Sequence, residues 1–107
     1  MALRKDHREL LRRLTLNDER TLRQVISGSK ESKQQLLDDR TRALVRLAGL
    51  VALGAEIASL QVARDEILKV GAGDEEIVDT VLAVSSIIGI TRVESAIPRL
   101  AIALDNE

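Results

Sequence analysis

Apolar residues recur three and four positions apart along this chain, which is the spacing that places them on one face of an α-helix. No segment alternates apolar and polar residues between turn signals, as a half-buried strand does. Glycines and short polar stretches divide the sequence into separate helical segments. The pattern therefore predicts an all-α fold, a compact bundle of about six helices.

The first two predicted helices carry narrow apolar stripes among many charges. Asn17 is the predicted N-cap of the second helix, which should end near Gly28. The polar segment 28–35, GSKESKQQ, follows as a connector or an exposed turn of helix. The apolar positions of these two helices are Leu3, Leu10, Leu11, Leu14, Leu22, Val25 and Ile26.

The third predicted helix is the most apolar segment of the chain. Asp38 or Asp39 can cap it, and it runs to about Gly54. Its apolar residues cover most of the helix circumference, which is typical of a helix that is buried on nearly all sides. A chain of 107 residues builds a modest core. A subunit interface would bury the apolar residues of this helix that the core of one chain cannot bury, so the pattern predicts a homo-oligomer.

Glycine and acidic residues mark the next two helices. A fourth helix over residues 56–70 should end at Gly71, because glycine adopts positive φ without strain. Asp74 is the predicted cap of the fifth helix, which continues to Gly89. Acidic side chains in its first turn favour the positive end of the helix dipole.

The sixth predicted helix starts at a capping box formed by Thr91 and Glu94. Pro98 falls inside this helix and should kink or split it.

Composition excludes several classes of site. The chain has no cysteine, so disulfides, thiolate nucleophiles and cysteine metal sites are excluded. It has no Phe, Tyr or Trp, so aromatic stacking on a base or a flavin is excluded as well. With one histidine and no glycine-rich phosphate loop, we expect no metal and no cofactor.

Charge and hydropathy predict a soluble, cytoplasmic protein. No signal peptide is expected, and the apolar run 43–63 is interrupted by Arg46 and Glu56, so no membrane span is expected. Residues 1–30 are basic and residues 71–107 are acidic, with a net charge of −1 overall. The basic arm is either a solvated helix or a docking element for an acidic surface, and nucleic-acid binding is not expected.

Three segments in order resemble the carboxymuconolactone decarboxylase family, which includes the alkylhydroperoxidase D-like proteins. The segments are ALVRLAGLVAL, EILKVGAGDEEIVDTVL and IGITRVESAIPRLAIAL. The resemblance implies an all-α, alkylhydroperoxidase D-like fold that assembles as trimers or hexamers. Chain length predicts one domain over residues 1–107, with a basic helical N-terminal region at 1–35. The resemblance places the family core at 36–104.

The redox residues of that family are missing from this chain. The resemblance places the two cysteines of the family's Cys-x-x-Cys at Glu56 and Ser59, and its histidine at Ala63. The upstream glutamate would fall near Ala43 or Leu44. Thiol peroxidase activity needs a low-pKa thiolate and a resolving thiol, so we do not expect that activity here.

Three polar residues are the candidate site. Arg46, inside the apolar run, either binds a substrate carboxylate or forms a structural ion pair across a subunit interface or snorkels to the surface. Glu56 is either a general acid or base or a favourable charge near a helix N-terminus. Ser59 shares a helix face with Glu56 but has no activating histidine. His7 is read as a solvated surface residue unless its arm folds over a site.

Two functions remain open from the sequence. In the first, the protein is a lyase-type enzyme on a small carboxylated molecule, with Arg46 holding the carboxylate and Glu56 and Ser59 as catalytic residues. In the second, it is a non-catalytic, oligomeric binding or scaffold protein that has lost the family's active site. The empty family positions favour the second function, and the polar pair at residues 56 and 59 favours the first.

Overall fold

The computed structural model describes residues 5–16, 18–27 and 36–105. These residues form two units, one within residues 1–36 and one within residues 37–107. All regular structure in the described ranges is helical, which confirms the predicted all-α class. The six helices are α1 (Lys5–Thr15), α2 (Glu19–Ser27), α3 (Asp39–Leu53), α4 (Ile57–Lys69), α5 (Asp74–Ile88) and α6 (Ile90–Asp105).

The first unit holds the two short helices α1 and α2. On α1, Glu9 accepts hydrogen bonds from Arg12 and Arg13, which lower the pKa of its carboxyl to about 2. Asp18 accepts hydrogen bonds from the Thr21 hydroxyl at 2.8 Å and from the Thr21 backbone N–H at 3.2 Å. Asp18 therefore caps α2, where Asn17 had been the predicted cap. Asn17 and the predicted connector 28–35 lie outside the described residues.

In the second unit, the predicted boundaries of α3 and α4 are confirmed. Asp38 is the N-cap of α3, and its side chain accepts a hydrogen bond of 2.7 Å from the Thr41 backbone N–H. Gly54 ends α3 with φ 73°, and Gly71 follows α4 with φ 88°. Both glycines adopt the left-handed conformation that a Cβ atom would strain. A turn of three residues, 54–56, joins α3 to α4.

The predicted cap at Asp74 is wrong, because another residue uses its carboxylate. Gly73 is the N-cap of α5, and Asp74 is the first residue of that helix. The Asp74 carboxylate accepts hydrogen bonds from Arg64 Nε at 3.0 Å and Arg64 Nη2 at 3.1 Å. The Gly73 N–H is instead satisfied by the Glu76 side chain at 3.1 Å. Glu76 also pairs with Arg40, which ties the start of α5 to the start of α3.

The start of α6 also differs from the prediction. The helix begins at Ile90, directly after Gly89, so Thr91 lies inside its first turn and does not cap it. The helix continues through Pro98 without being split. Proline removes one backbone N–H from the helix interior. The tertiary contacts of α6 with α4 and α5 hold the helix in place around this missing hydrogen bond.

The core of the second unit consists of small aliphatic side chains. α3 packs against α4 and α5, and α4 packs against α6. Five of the twelve buried apolar residues are alanine, and the other seven are leucine, isoleucine or valine. Small side chains on facing helices allow close packing. The buried residues are Ala43, Leu47, Val51, Leu60, Ala63, Ile67, Ala72, Ile77, Val81, Ala96, Leu100 and Ala103.

Removing the charge of Asp74 should destabilise the second unit. The Arg64 side chain is 17% exposed, and replacing Asp74 by Asn removes the carboxylate that pairs with it. We expect Asp74→Asn to lower the free energy of unfolding by about 1–2 kcal/mol. Urea unfolding followed by circular dichroism measures this change. Asp79→Asn, an exposed change on the same helix, is the control, and an equal loss in both variants would contradict the role of the ion pair.

The Asp38 cap should make stability depend on acid. The Thr41 N–H bonded to its carboxylate holds the pKa of Asp38 below its usual value. The stabilisation from Asp38 is therefore complete above the unfolded pKa and is lost as pH falls through the lower folded pKa. Asp38→Asn keeps a capping oxygen and should flatten the acid side of the stability profile.

Asp38→Ala removes the cap and should lower the urea midpoint at neutral pH, which circular dichroism against pH measures for both variants. A profile for Asp38→Asn that falls in acid as steeply as that of the unchanged chain would contradict this assignment.

Candidate functional site

A groove of about 520 Å³ lies between α3 and α4 in the second unit. Each helix contributes four residues spaced i, i+3, i+4 and i+7, so each wall is one continuous helix face. The α3 wall is distinct from the stripe that α3 buries in the core. The lining residues are Arg46, Gly49, Leu50 and Leu53 from α3 and Ser59, Val62, Ala63 and Glu66 from α4.

The groove is apolar along most of its length. Leu53 is 82% exposed and Val62 is 61% exposed, although both are large aliphatic residues. Gly49 has no atom within 4 Å of the position a Cβ would occupy, so the α3 wall is open at its centre. α3 therefore buries one stripe in its own unit and presents a second apolar stripe on the surface, which explains its nearly all-round apolar sequence.

Arg46 lies in the wall of the groove and is not buried. Its side chain is 61% exposed, and Nη1 lies 3.7 Å from Glu66 Oε2. Of the alternatives open from the sequence, the structure shows an ion pair, but with an acid from the same chain. A guanidinium at the surface needs no buried partner, because water solvates it. The argument from burial for a carboxylate ligand of Arg46 therefore loses its basis.

The other two candidate residues are separated. Ser59 lines the groove with Arg46. Glu56 is the N-cap residue of α4 and is exposed, but its side chain makes no capping hydrogen bond. Glu56 is not among the residues that line the groove. The structure thus brings Arg46 and Ser59 to one surface and leaves Glu56 outside it.

Glu66 is the groove residue that sequence reasoning missed. It lies seven positions after Ser59, and Arg46 lies seven positions before Leu53. These matched spacings are the available signal, because residues seven apart on a helix share a face. These spacings predict a groove only if α3 and α4 are known to pack side by side. Periodicity alone does not show which helices are neighbours.

The remaining residues considered from the sequence lie elsewhere. His7 is on α1 in the first unit, with Nδ1 3.5 Å from Asp6 Oδ1. Within the described ranges, no cluster of His, Asp and Glu side chains could hold a metal ion. Over the same ranges, every helix is too short or too polar to cross a bilayer.

Comparisons with protein-family models, with curated proteins and with solved structures find no match to this chain. The resemblance to the carboxymuconolactone decarboxylase family therefore stays a prediction from the three sequence segments. The function has to be argued from the groove itself.

Because the Arg46–Glu66 pair is exposed, it should contribute little to stability. We expect Arg46→Gln to change the free energy of unfolding by less than about 1 kcal/mol, since water screens exposed pairs. Urea unfolding followed by circular dichroism measures the change. Arg64→Gln, which removes a mostly buried guanidinium, is the comparison and should cost more. A loss for Arg46→Gln as large as that for Arg64→Gln would contradict the surface position of Arg46.

Proposed function

We propose that this chain is a non-catalytic helical scaffold protein that assembles with copies of itself through the groove between α3 and α4. The single observation that supports this proposal is the apolar groove on the surface of the second unit. On a folded protein in water, a large contiguous patch of exposed apolar residues marks an interaction surface. Covering Leu53 and Val62 would remove from water the two most exposed apolar side chains of the groove.

The charges of the groove favour a second copy over a foreign partner. Arg46 and Glu66 are of opposite sign and lie on opposite walls. A two-fold axis that runs along the groove would place Arg46 of each copy near Glu66 of the other copy, so the surface would be complementary to itself. An acidic or basic partner would gain little electrostatic attraction here, because the charges of Arg46 and Glu66 cancel.

The shape of the groove also suits another helix. Gly49 leaves the centre of the α3 wall without a side chain, so the backbone of an opposing helix can come close. The exposed residues on either side, Leu53 and Val62, then pack against that helix. Such a contact would be helix-to-helix packing of the same kind as in the core of the unit.

The groove gives catalysis weaker support. Its ionisable residues are Arg46 and Glu66, which are paired with each other, and its hydroxyl, Ser59, has no base beside it in the lining. Glu56, the residue that the lyase hypothesis needs for proton transfer, lies outside the groove. One observation still favours a lyase that acts on a small carboxylated molecule: Arg46 and Ser59 both line the groove.

Charged substitutions in the groove should dissociate the assembly. We expect Val62→Glu and Leu53→Glu to raise the dissociation constant at least tenfold, because each buries an unpaired carboxylate in the contact. Sedimentation velocity measures the association, with detection by refractive index because the chain has no aromatic residues. Ile87→Glu is the matched control, since Ile87 is 82% exposed on α5 and lies outside the groove.

A charge exchange tests the two-fold contact itself. Arg46→Glu alone should weaken association, and the double variant Arg46→Glu/Glu66→Arg should restore it. A chain that stays monomeric at high protein concentration would overturn the proposal. Dissociation by Ile87→Glu with no effect of Val62→Glu would move the contact to another surface.

A further inference from the structure

Two arginine side chains of α6 lie at the C-terminal end of α3, next to the end of the groove that Leu53 lines. Arg92 Nη1 donates a hydrogen bond of 2.8 Å to the Ala52 carbonyl. Arg99 Nη1 lies 3.3 Å from the Gly54 carbonyl and 3.4 Å from the Ala55 carbonyl, with both oxygens as acceptors. The two guanidinium groups therefore bind the same four-residue stretch of backbone, 52–55.

These two positive charges have no carboxylate to balance them. Among the described residues, no Asp or Glu oxygen lies within the 4.0 Å that defines an ion pair for Arg92 or Arg99. Arg46 and Arg64, in contrast, each have a carboxylate partner. The carbonyls at the end of α3 carry partial negative charge, which attracts the guanidiniums but does not neutralise them.

Both guanidiniums also keep donors that the protein does not use. In the described part of the chain, the Nε and Nη2 groups of Arg92 and the Nε group of Arg99 have no acceptor. Arg99 Nη2 donates a hydrogen bond of 3.2 Å to Ser95 Oγ. Because that oxygen acts as an acceptor, the Ser95 hydroxyl proton is free to be donated elsewhere.

Residues 92, 95 and 99 are spaced i, i+3 and i+7, so they lie on one face of α6. We propose that Arg92, Ser95 and Arg99 form a binding site for a small oxyanion with two negative charges, either a phosphate group or a dicarboxylate. Guanidinium groups bind such oxygens through paired N–H donors, and two fixed guanidiniums match two negative charges. The backbone of the 52–55 stretch holds both side chains in place before a ligand binds, which lowers the cost of binding.

Titration of the full-length chain with anions tests this site, by nuclear magnetic resonance of the backbone amides. Inorganic phosphate and succinate are the probes, at constant ionic strength, with chloride as the control anion. We expect saturable shifts of the amides at residues 52–56 and 92–99. Saturation by phosphate alone assigns a phosphoryl ligand, and saturation by succinate alone assigns a dicarboxylate.

Variants separate binding from the structural role of the two arginines. Arg92→Gln/Arg99→Gln should weaken binding at least tenfold, and Arg46→Gln should leave it unchanged. Ser95→Ala, which leaves the bonds to the α3 carbonyls in place, should weaken binding several-fold while the urea midpoint stays constant. Arg92→Lys/Arg99→Lys keeps the charge but loses the paired donors, and should bind more weakly than the unchanged chain.

Three results would overturn the proposal. The first is a shift that grows linearly with anion concentration and equals that of chloride. The second is a saturable shift that the Ser95→Ala and double arginine variants retain. The third is a saturable shift centred on Arg46 and Ser59, which would place the anion in the groove and support the lyase hypothesis in its place. The first two results leave self-association untouched, and the sedimentation experiment tests it separately.

Discussion

Close approach of helices through small side chains is the constraint on which the second unit depends. Alanine at residues 43, 63, 96 and 103 lets the helices pack closely, and leucine, isoleucine and valine fill the space between them. Such a core is thin, so each helix buries only one narrow stripe. Apolar residues beyond that stripe are left on the surface, and the groove between α3 and α4 is the clearest result.

Polar contacts then fix how the helix ends meet. Asp38 caps α3 locally, but the start of α5 depends on residues from other helices, because Arg64 and Arg40 hold Asp74 and Glu76. Two arginines of α6 also donate hydrogen bonds to carbonyls at the end of α3. The core contributes most of the burial, and these charged contacts satisfy polar groups at the ends of helices.

The sequence predicted the elements of the fold well wherever the signal was local. The cap at Asp38 and the helix ends at Gly54 and Gly71 follow from the intrinsic preferences of neighbouring residues. The cap at Asp74 was wrong because a residue ten positions earlier takes its carboxylate, which is a tertiary contact. Thr91 failed as a cap because α6 begins directly after Gly89.

The candidate site was harder to predict, because periodicity shows that a helix has two apolar stripes but not which one faces the core. The sequence therefore left the environment of Arg46 open, between a substrate carboxylate, an interface ion pair and the surface, and the structure places it on the outer stripe. Arg92 and Arg99 gave no local signal at all, since they are the two cations of an acidic segment. Their role depends on hydrogen bonds to the carbonyls of residues 52–55, which lie near them only in the folded chain.

The contacts of Arg92 and Arg99 have a consequence for the order of events during synthesis on the ribosome. The turn between α3 and α4 is translated 40 residues before the arginine that binds the Ala52 carbonyl, and 45 residues before the one that binds the Gly54 carbonyl. Until α6 leaves the exit tunnel, the last carbonyls of α3 lack these arginine donors, and the helix hairpin is held by its own contacts, among them the Arg46–Glu66 pair. The last of the four helices of this unit therefore completes the contacts of the unit's first turn.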